Sequence, residues 1–304
     1  MSGATAERIS GSPVPGGPSG PAMEGRGYLR RRVANGVMLG LSVASVTIAV
    51  FILVVVLGYV LIQGGSALNL AFFTNLPKPV GEVGGGMANA IVGTLIILAL
   101  ASAMGLPIGI AAGIYLAEYG SGRLGTLVRF TTDVLTGIPS ITIGIFAYTV
   151  VVLPLRSFST FAGAFALAII MIPTVTRSTE EIMKLVPGTL REASLALGIP
   201  MWKTVLRVVM PAAMGGIITG AMLSIARVGG ETAPLLFTAF GNRFWSFSLD
   251  KPIATIPLQV FTYAISPYDD WRAQAWAGAF VLVAMVLLIS IVARVSTRGA
   301  QVRR

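Results

Sequence analysis

The sequence predicts an all-α polytopic membrane protein with six transmembrane helices and both termini cytoplasmic. Three observations carry that reading. Only 11% of the 304 residues are charged, 55% are hydrophobic, and the mean hydropathy is +0.83. Soluble domains carry roughly a quarter charged residues, so a water-soluble globular protein and a disordered one are both excluded. Charge-free apolar stretches recur along the chain, most of them near the roughly 20 residues that cross about 30 Å of hydrocarbon. Finally, 16 of the 22 Lys and Arg fall in one alternate set of loops and tails, five fall in the other, and Arg227 lies inside a stretch. Positive charge accumulates on the cytoplasmic side, so the bias places both ends inside.

Residues 1–33 read as a flexible cytoplasmic tail. They are mainly Gly, Pro, Ser and Ala with scattered charge, and close on Arg30, Arg31 and Arg32. The apolar segment that follows is too long for a secretory signal. Residues 34–63 are the first transmembrane helix, of which 37–62 carry no charge. An outer loop over 64–87 contains a glycine run at 84–86, read as a flexible turn. The remaining spans are expected at 88–116, 134–153, 158–175, 208–226 and 273–293 within a core of 88–295, followed by a basic cytoplasmic tail at 296–304. Pro107 should kink the second span, Gly137 and Pro139 should loosen the start of the third, and the fourth should end near Pro173. In the last outer loop, residues 253–265 suit a short surface helix. Its aromatics Phe244, Trp245, Phe247, Phe261, Tyr263, Tyr268 and Trp271 suit interfacial anchoring.

Neither cysteine nor histidine occurs, which removes disulfides, thiolate metal sites and histidine proton relays. No Lys follows a Gly, so a Walker A loop is absent and ATP is not held that way. The net charge of +10 is that of basic cytoplasmic loops, not of a nucleic-acid binder. No catalytic residue and no metal site is expected.

Two places concentrate chemistry. The first is the long inner loop at about 186–211. Thr189 and Glu192 have the spacing of a capping box, Gly198 suits a left-handed C-cap, and Pro200 suits a first helical position. The loop therefore reads as two short helices hinged at 197–199. Leu190, Ala193, Ala196 and Leu197 share one face of the first helix, which suits docking onto another protein. The second is the pair Arg227 and Glu231 in the fifth span. A buried Arg costs at least ~2.5 kcal/mol on insertion scales, so such a residue marks function by default. Glu231 is at i+4 from Arg227 and shares its face if the helix holds. Gly229 and Gly230 weaken that helix, Thr232 adds a hydroxyl and Pro234 interrupts the ladder. A guanidinium suits a tetrahedral oxyanion, and a carboxylate accepts from a ligand that still carries a proton. Phosphate carries one at neutral pH and sulfate does not. An internal ion pair is the other reading of the two residues. Thr136 and Ser140, with Pro139 between them, suit either pore lining or helix packing.

The loop residues Glu192, Ala193, Ser194, Gly198, Val208, Met210 and Pro211 resemble the EAA motif of ABC-importer permeases, with Ser, Val and Met departing from its pattern. In that family the loop is the coupling helix seated in the ATPase. The run from Ser224 to Thr238, with 172–181, 241–245 and 254–261, resembles the permease subunits of the phosphate-specific ABC importer, closest to its A-type subunit. The resemblance covers about 71–293. It implies a MetI-like core behind a peripheral first helix. It also implies a heterodimer with a homologous C-type permease, two copies of a cytoplasmic ATPase that binds ATP and Mg, and an extracytoplasmic phosphate-binding protein. Inorganic phosphate would pass Arg227, Glu231, Thr232 and Arg177, while Glu192, Ala193, Ser194, Gly198 and Pro211 would couple to the ATPase. For Arg177, anchoring the inner rim by pairing with Glu180 or Glu181 is the other reading. An importer of another small oxyanion and an ion-coupled secondary transporter are alternative functions. The absence of histidine and the loop motif weigh against the second.

Overall fold

The computed structural model describes residues 25–82 and 84–301. Residues 1–24, most of the expected tail, lie outside that range, as do the last three of the basic tail. The chain divides into two compact units, Met1–Leu57 and Gly58–Arg304. The helices are α1 (Gly25–Ala67), α2 (Leu70–Thr74), α3 (Ala88–Glu118), α4 (Arg123–Gly137), α5 (Ser140–Leu155), α6 (Thr160–Lys184), α7 (Gly188–Ala196), α8 (Met201–Gly229), α9 (Ala233–Thr238), α10 (Ile256–Ala264) and α11 (Asp269–Gln301). Among the described residues the only β pairing is an isolated bridge between Phe240 and Ile253.

Five helices, α1, α3, α6, α8 and α11, are long and apolar enough to cross a membrane. A sixth span exists only if α4 and α5 count as one, and these are bent by 103° at Ile138 and Pro139. The expected third span at 134–153 therefore starts too early, because the chain turns at Pro139 and the apolar segment begins at Ser140. The reason is local: Pro139 supplies no N–H and disfavours helical backbone at Ile138, which is extended at φ −74°, ψ 130°. Pro107 and Pro173, by contrast, sit inside unbroken helices. The fourth span consequently runs to Lys184, well past the expected stop near Pro173. α8 likewise begins at Met201, so the second helix of the loop is the start of the fifth span and not a separate short helix.

In the first unit the described stretch of α1 up to Leu57 is exposed on every side. Its serine and threonine hydroxyls are satisfied within the helix: Ser42 donates to Met38, Ser45 to Leu41 and Thr47 to Val43. This is what hydrocarbon demands of polar groups. The helix begins at Gly25, inside the stretch read as tail.

The second unit is organised around α3 packed on α6. Gly105, Gly109 and Gly113 fall one turn apart on α3 and face Met171, Val175 and Thr179 of α6. Helices in lipid gain nothing from burying apolar surface against each other, so close backbone approach through small residues is what joins them. Gly216 and Gly220 repeat the device between α8 and Ile182 and Ser178 of α6. Ile97, Leu167, Met171, Val175 and Leu235 fill the resulting core.

Two π-helical turns, Tyr148–Val152 and Val205–Val209, each end two residues before a proline, Pro154 and Pro211. A proline ring clashes with the carbonyl four residues back, and the wider π turn relieves that clash. The expected surface helix at 253–265 is present as α10. Tyr263 on it is buried and stacks on Trp271 at 4.6 Å, so it packs inward and is not an anchor. The glycine run is not a free turn either, since Gly85 and Gly86 are buried and Gly86 donates to Leu76 at 3.1 Å.

A Cβ on Gly113 would lie 2.5 Å from the Thr179 Cβ. Gly113→Val is expected to destabilise the purified protein by about 1–3 kcal/mol through overpacking. Gly36→Val, whose Cβ meets nothing within 4 Å, serves as the comparison in thermal unfolding in detergent and should leave the midpoint in place.

Candidate functional site

The two interruptions in the apolar helices meet at one cavity of about 200 Å³. One wall is the α4–α5 turn, with Thr136, Pro139 and Ser140, and a second is α6 at Pro173 and Thr174. Arg227 and Glu231 complete the lining. At ~30 Å³ per water the space holds roughly six waters, enough for a small hydrated anion.

Arg227 stands in the last turn of α8, where a cation complements the carbonyl end of a helix. The helix does not hold to Glu231. It ends at Gly229, and Gly230 and Glu231 donate backbone N–H groups to the carbonyls of Arg227 and Val228 at 3.2 and 3.1 Å. The pair therefore faces the same cavity through the chain turn after Gly229 and not through i,i+4 register. No hydrogen bond or ion pair joins the side chain of Arg227 or of Glu231 to the other or to any other described residue. A self-satisfied internal ion pair is thus not what this structure contains. The cavity offers a guanidinium fork, a separate carboxylate and the small polar side chains of Thr136, Ser140 and Thr174.

Thr232 and Arg177 do not line this cavity. Thr232 holds the N-cap position of α9, and its carbonyl accepts from Leu235 and Leu236. Arg177 is engaged with Asp133 of α4 and, at 3.3 Å, with Glu180. Glu181, the other partner expected for it, is exposed. Glu180 is the centre of an ionic cluster of which the sequence showed only the Arg177 contact. Its carboxylate, 1% exposed, also binds Arg129 at 2.7 Å and Lys184 at 2.6 Å. Arg129 in turn donates to the carbonyls of Gly120 and Leu116, which closes the end of α3. The signal was a carboxylate within the apolar fourth helix, hidden because that span was read as ending before it.

The 186–211 loop is folded and anchored. α7 begins at Gly188 with Pro187 in the N-cap position and no side-chain cap bond, so the expected Thr189–Glu192 capping box does not form. Arg191 takes over the junction instead. It donates to both oxygens of Glu118 at the end of α3, and to the carbonyls of Met183 and Val186 at 2.9 and 2.7 Å. Glu118 is 2% exposed, so removing Arg191 would leave a buried charge unpaired. The hinge is where the sequence placed it: Gly198 adopts φ +73°, a conformation few side chains tolerate. Pro200 takes the N-cap position of α8 and not the first helical one. Glu192 and Ala193 are exposed, and so are Leu190, Ala196 and Leu197, which leaves that apolar face uncovered. Ser194 alone on α7 is buried, and its hydroxyl pairs with Thr204 at 2.8 Å, which ties the two helices across the hinge. Pro211 lies ten residues inside α8, away from the hinge.

A family model described as "binding-protein-dependent transport system inner membrane component" matches residues 105–301. Similar proteins include the phosphate transport system permease protein PstA of Yersinia pestis, 45% identical over 266 residues, covering 87% of this chain and 90% of that one. The same-named protein of Haemophilus influenzae is 44% identical, with 87% and 94% covered. PstA 1 of Mycobacterium tuberculosis is 38% identical over 272 residues. Among solved structures, an inward-facing MetNI methionine ABC transporter chain overlays at a TM-score of 0.59 and 20% identity, covering 70% of this chain and 97% of that one. That likeness concerns the fold.

The Ser194–Thr204 bond generates a test by double-mutant cycle. Ser194→Ala should cost about 1–3 kcal/mol because the Thr204 hydroxyl, fully buried, loses its partner. Thr204→Val should cost a similar amount, and the double substitution should recover most of the loss in denaturant unfolding.

Proposed function

The chain belongs to the family of inner-membrane components of binding-protein-dependent transport systems, and on that premise we propose that it is the permease subunit through which an ATP-driven importer takes up inorganic phosphate. Its relatives at 45% identity over most of the chain are named phosphate transport system permease proteins. The observation that carries the reading to this molecule is the cavity in which Arg227 and Glu231 stand together without pairing. The guanidinium supplies two parallel donors to a tetrahedral oxyanion, and the carboxylate accepts the proton that phosphate retains and sulfate lacks. The subunit is a multi-pass protein of the cytoplasmic membrane.

In this reading α4–α5 is the broken sixth span, and the charge bias sets both termini and the α7 loop in the cytoplasm. The partners are a homologous C-type permease, two copies of an ATPase that hold ATP and Mg, and an extracytoplasmic phosphate-binding protein. This chain performs no hydrolysis. The exposed residues Glu192, Ala193 and Leu197 meet the ATPase, and Gly198 lets α7 present them. Arg191 transmits the displacement, since it grips α3 through Glu118 and α6 through the Met183 carbonyl. Affinity resides mainly in the binding protein, so the path need only admit the anion and release it. The charge of Arg227 provides the attraction. Arg177, locked to Asp133 and Glu180, holds the inner rim.

Reconstitution with the partner subunits, scored as ATP-dependent phosphate uptake in excess sulfate, tests the assignment. Arg227→Gln should lower uptake about 10- to 100-fold, the equivalent of a charge-assisted hydrogen bond worth about 1.5–3 kcal/mol. Glu231→Gln should weaken discrimination against sulfate; unchanged uptake and selectivity would remove its proton-acceptor role. Loop variants at Glu192 that no longer bind the ATPase should lose uptake, and persistence of uptake in them would sink the coupling role.

A further inference from the structure

At the end of the bundle opposite the α7 loop lies a second pocket, of about 220 Å³, between the chain that leaves α9 and the start of α10. Its polar lining includes Asn242, Arg243, Thr255, Gln259, Thr262 and Tyr263, and no carboxylate. These residues come from the two stretches 241–245 and 254–261, whose motifs the transport path does not use, and from Thr262 and Tyr263 just after the second.

Several features mark it as a built site. Phe240 and Gly241 both have positive φ, +58° and +87°, and for a phenylalanine that backbone is strained. The strained turn is held by the bridge from Phe240 to Ile253 and by stacking of Phe240 on Phe158 at 4.6 Å. It delivers Arg243 to the pocket. Arg243 is exposed, its guanidinium lies 5.9 Å from the Trp271 ring centre, and it makes no ion pair among the described residues. Thr255 is 1% exposed and occupies the N-cap position of α10, yet its hydroxyl neither caps the helix nor finds any other hydrogen-bond partner. A buried hydroxyl without a partner on a residue that lines the pocket calls for an explanation, and a polar ligand supplies one. The Tyr263 phenol, which burial pushes above its ordinary range, is a proton donor at neutral pH as any tyrosine is.

A free guanidinium, an unused hydroxyl and a protonated phenol, with no acid among them, select an oxyanion. We infer that this pocket is a separate oxyanion site that takes inorganic phosphate at the outer end of the permease, before the anion reaches Arg227. The inference rests on the proposed import of phosphate for its choice of ligand and direction. Unlike the inner cavity it holds no carboxylate, so it collects phosphate and sulfate alike and leaves selection to Glu231.

The test uses the complete importer in liposomes, with phosphate-loaded binding protein outside and ATP within. Thr255→Val keeps the side-chain shape and breaks no hydrogen bond in the protein, so it should fold. Arg243→Gln should lower maximal uptake about tenfold and Thr255→Val about threefold, with the half-saturating concentration of binding protein unchanged. Uptake by both variants within twofold of the parent would overturn the site. So would a loss arising wholly from weaker binding-protein saturation, which would mean that an acidic group of that partner docks at Arg243. Inorganic phosphate titrated against tryptophan emission of the same preparation, with Trp271→Phe as control, separates the two claims. Quenching that Arg243→Gln abolishes, in a parent that imports no phosphate, would support the pocket and fail the transport reading. Import without such quenching and without an effect of either variant would do the reverse.

Discussion

Inside hydrocarbon a backbone N–H or C=O has no water to turn to, so an unbroken helix is the default and every interruption must be sheltered. This constraint orders the second unit. Its apolar helices run without a break through Pro107 and Pro173, and absorb Pro154 and Pro211 by widening one turn. They stop at Ile138–Pro139 and after Gly229. Both stops border the cavity that holds Arg227 and Glu231. The expensive features, irregular backbone and uncompensated charge, are thus gathered into a single polar space, where each makes the other tolerable.

Packing follows from the same absence of water. With no hydrophobic gain on offer between helices, the glycine seam of α3 against α6 and its counterpart on α8 bring backbones together. The ionic contacts with a buried carboxylate, among the described residues, lie at one end of the bundle, where Glu118 and Glu180 are covered by arginine and lysine side chains. Such pairs add little net stability, but breaking one by removing a partner costs about 3–5 kcal/mol. Their effect is to fix α4 and α7 in register with α3 and α6.

Much of this was legible in the sequence, and the limits have physical causes. Hydropathy located the spans because it reports solvent, and the Arg227–Glu231 pair stood out because charge in an apolar run is rare. The hinge at Gly198 was readable since a left-handed residue calls for glycine. Hydropathy failed where a helix outlasts its apolar stretch. Residues 176–184 of α6 and 201–207 of α8 are polar enough to read as loop, yet they are the helical stems that carry Glu180 and Thr204. The capping box at Thr189 failed because Arg191 satisfies the junction from a distance through Glu118, a partner 73 residues away that no local motif encodes. The substitution of Ser194 within the loop motif became intelligible only with Thr204 across the hinge.

The glycine seam has one more consequence. Where the three glycines of α3 meet Met171, Val175 and Thr179, side chains stand on one helix only and have little room to repack, so α3 and α6 behave as a single stiff beam. Arg191 is bolted to both members of that beam at one end, through Glu118 and the Met183 carbonyl. A push on α7 therefore enters a lever and is not dissipated in soft side-chain rearrangement. The compliant joints are the 103° elbow between α4 and α5 and the turn after Gly229, and both open onto the polar cavity.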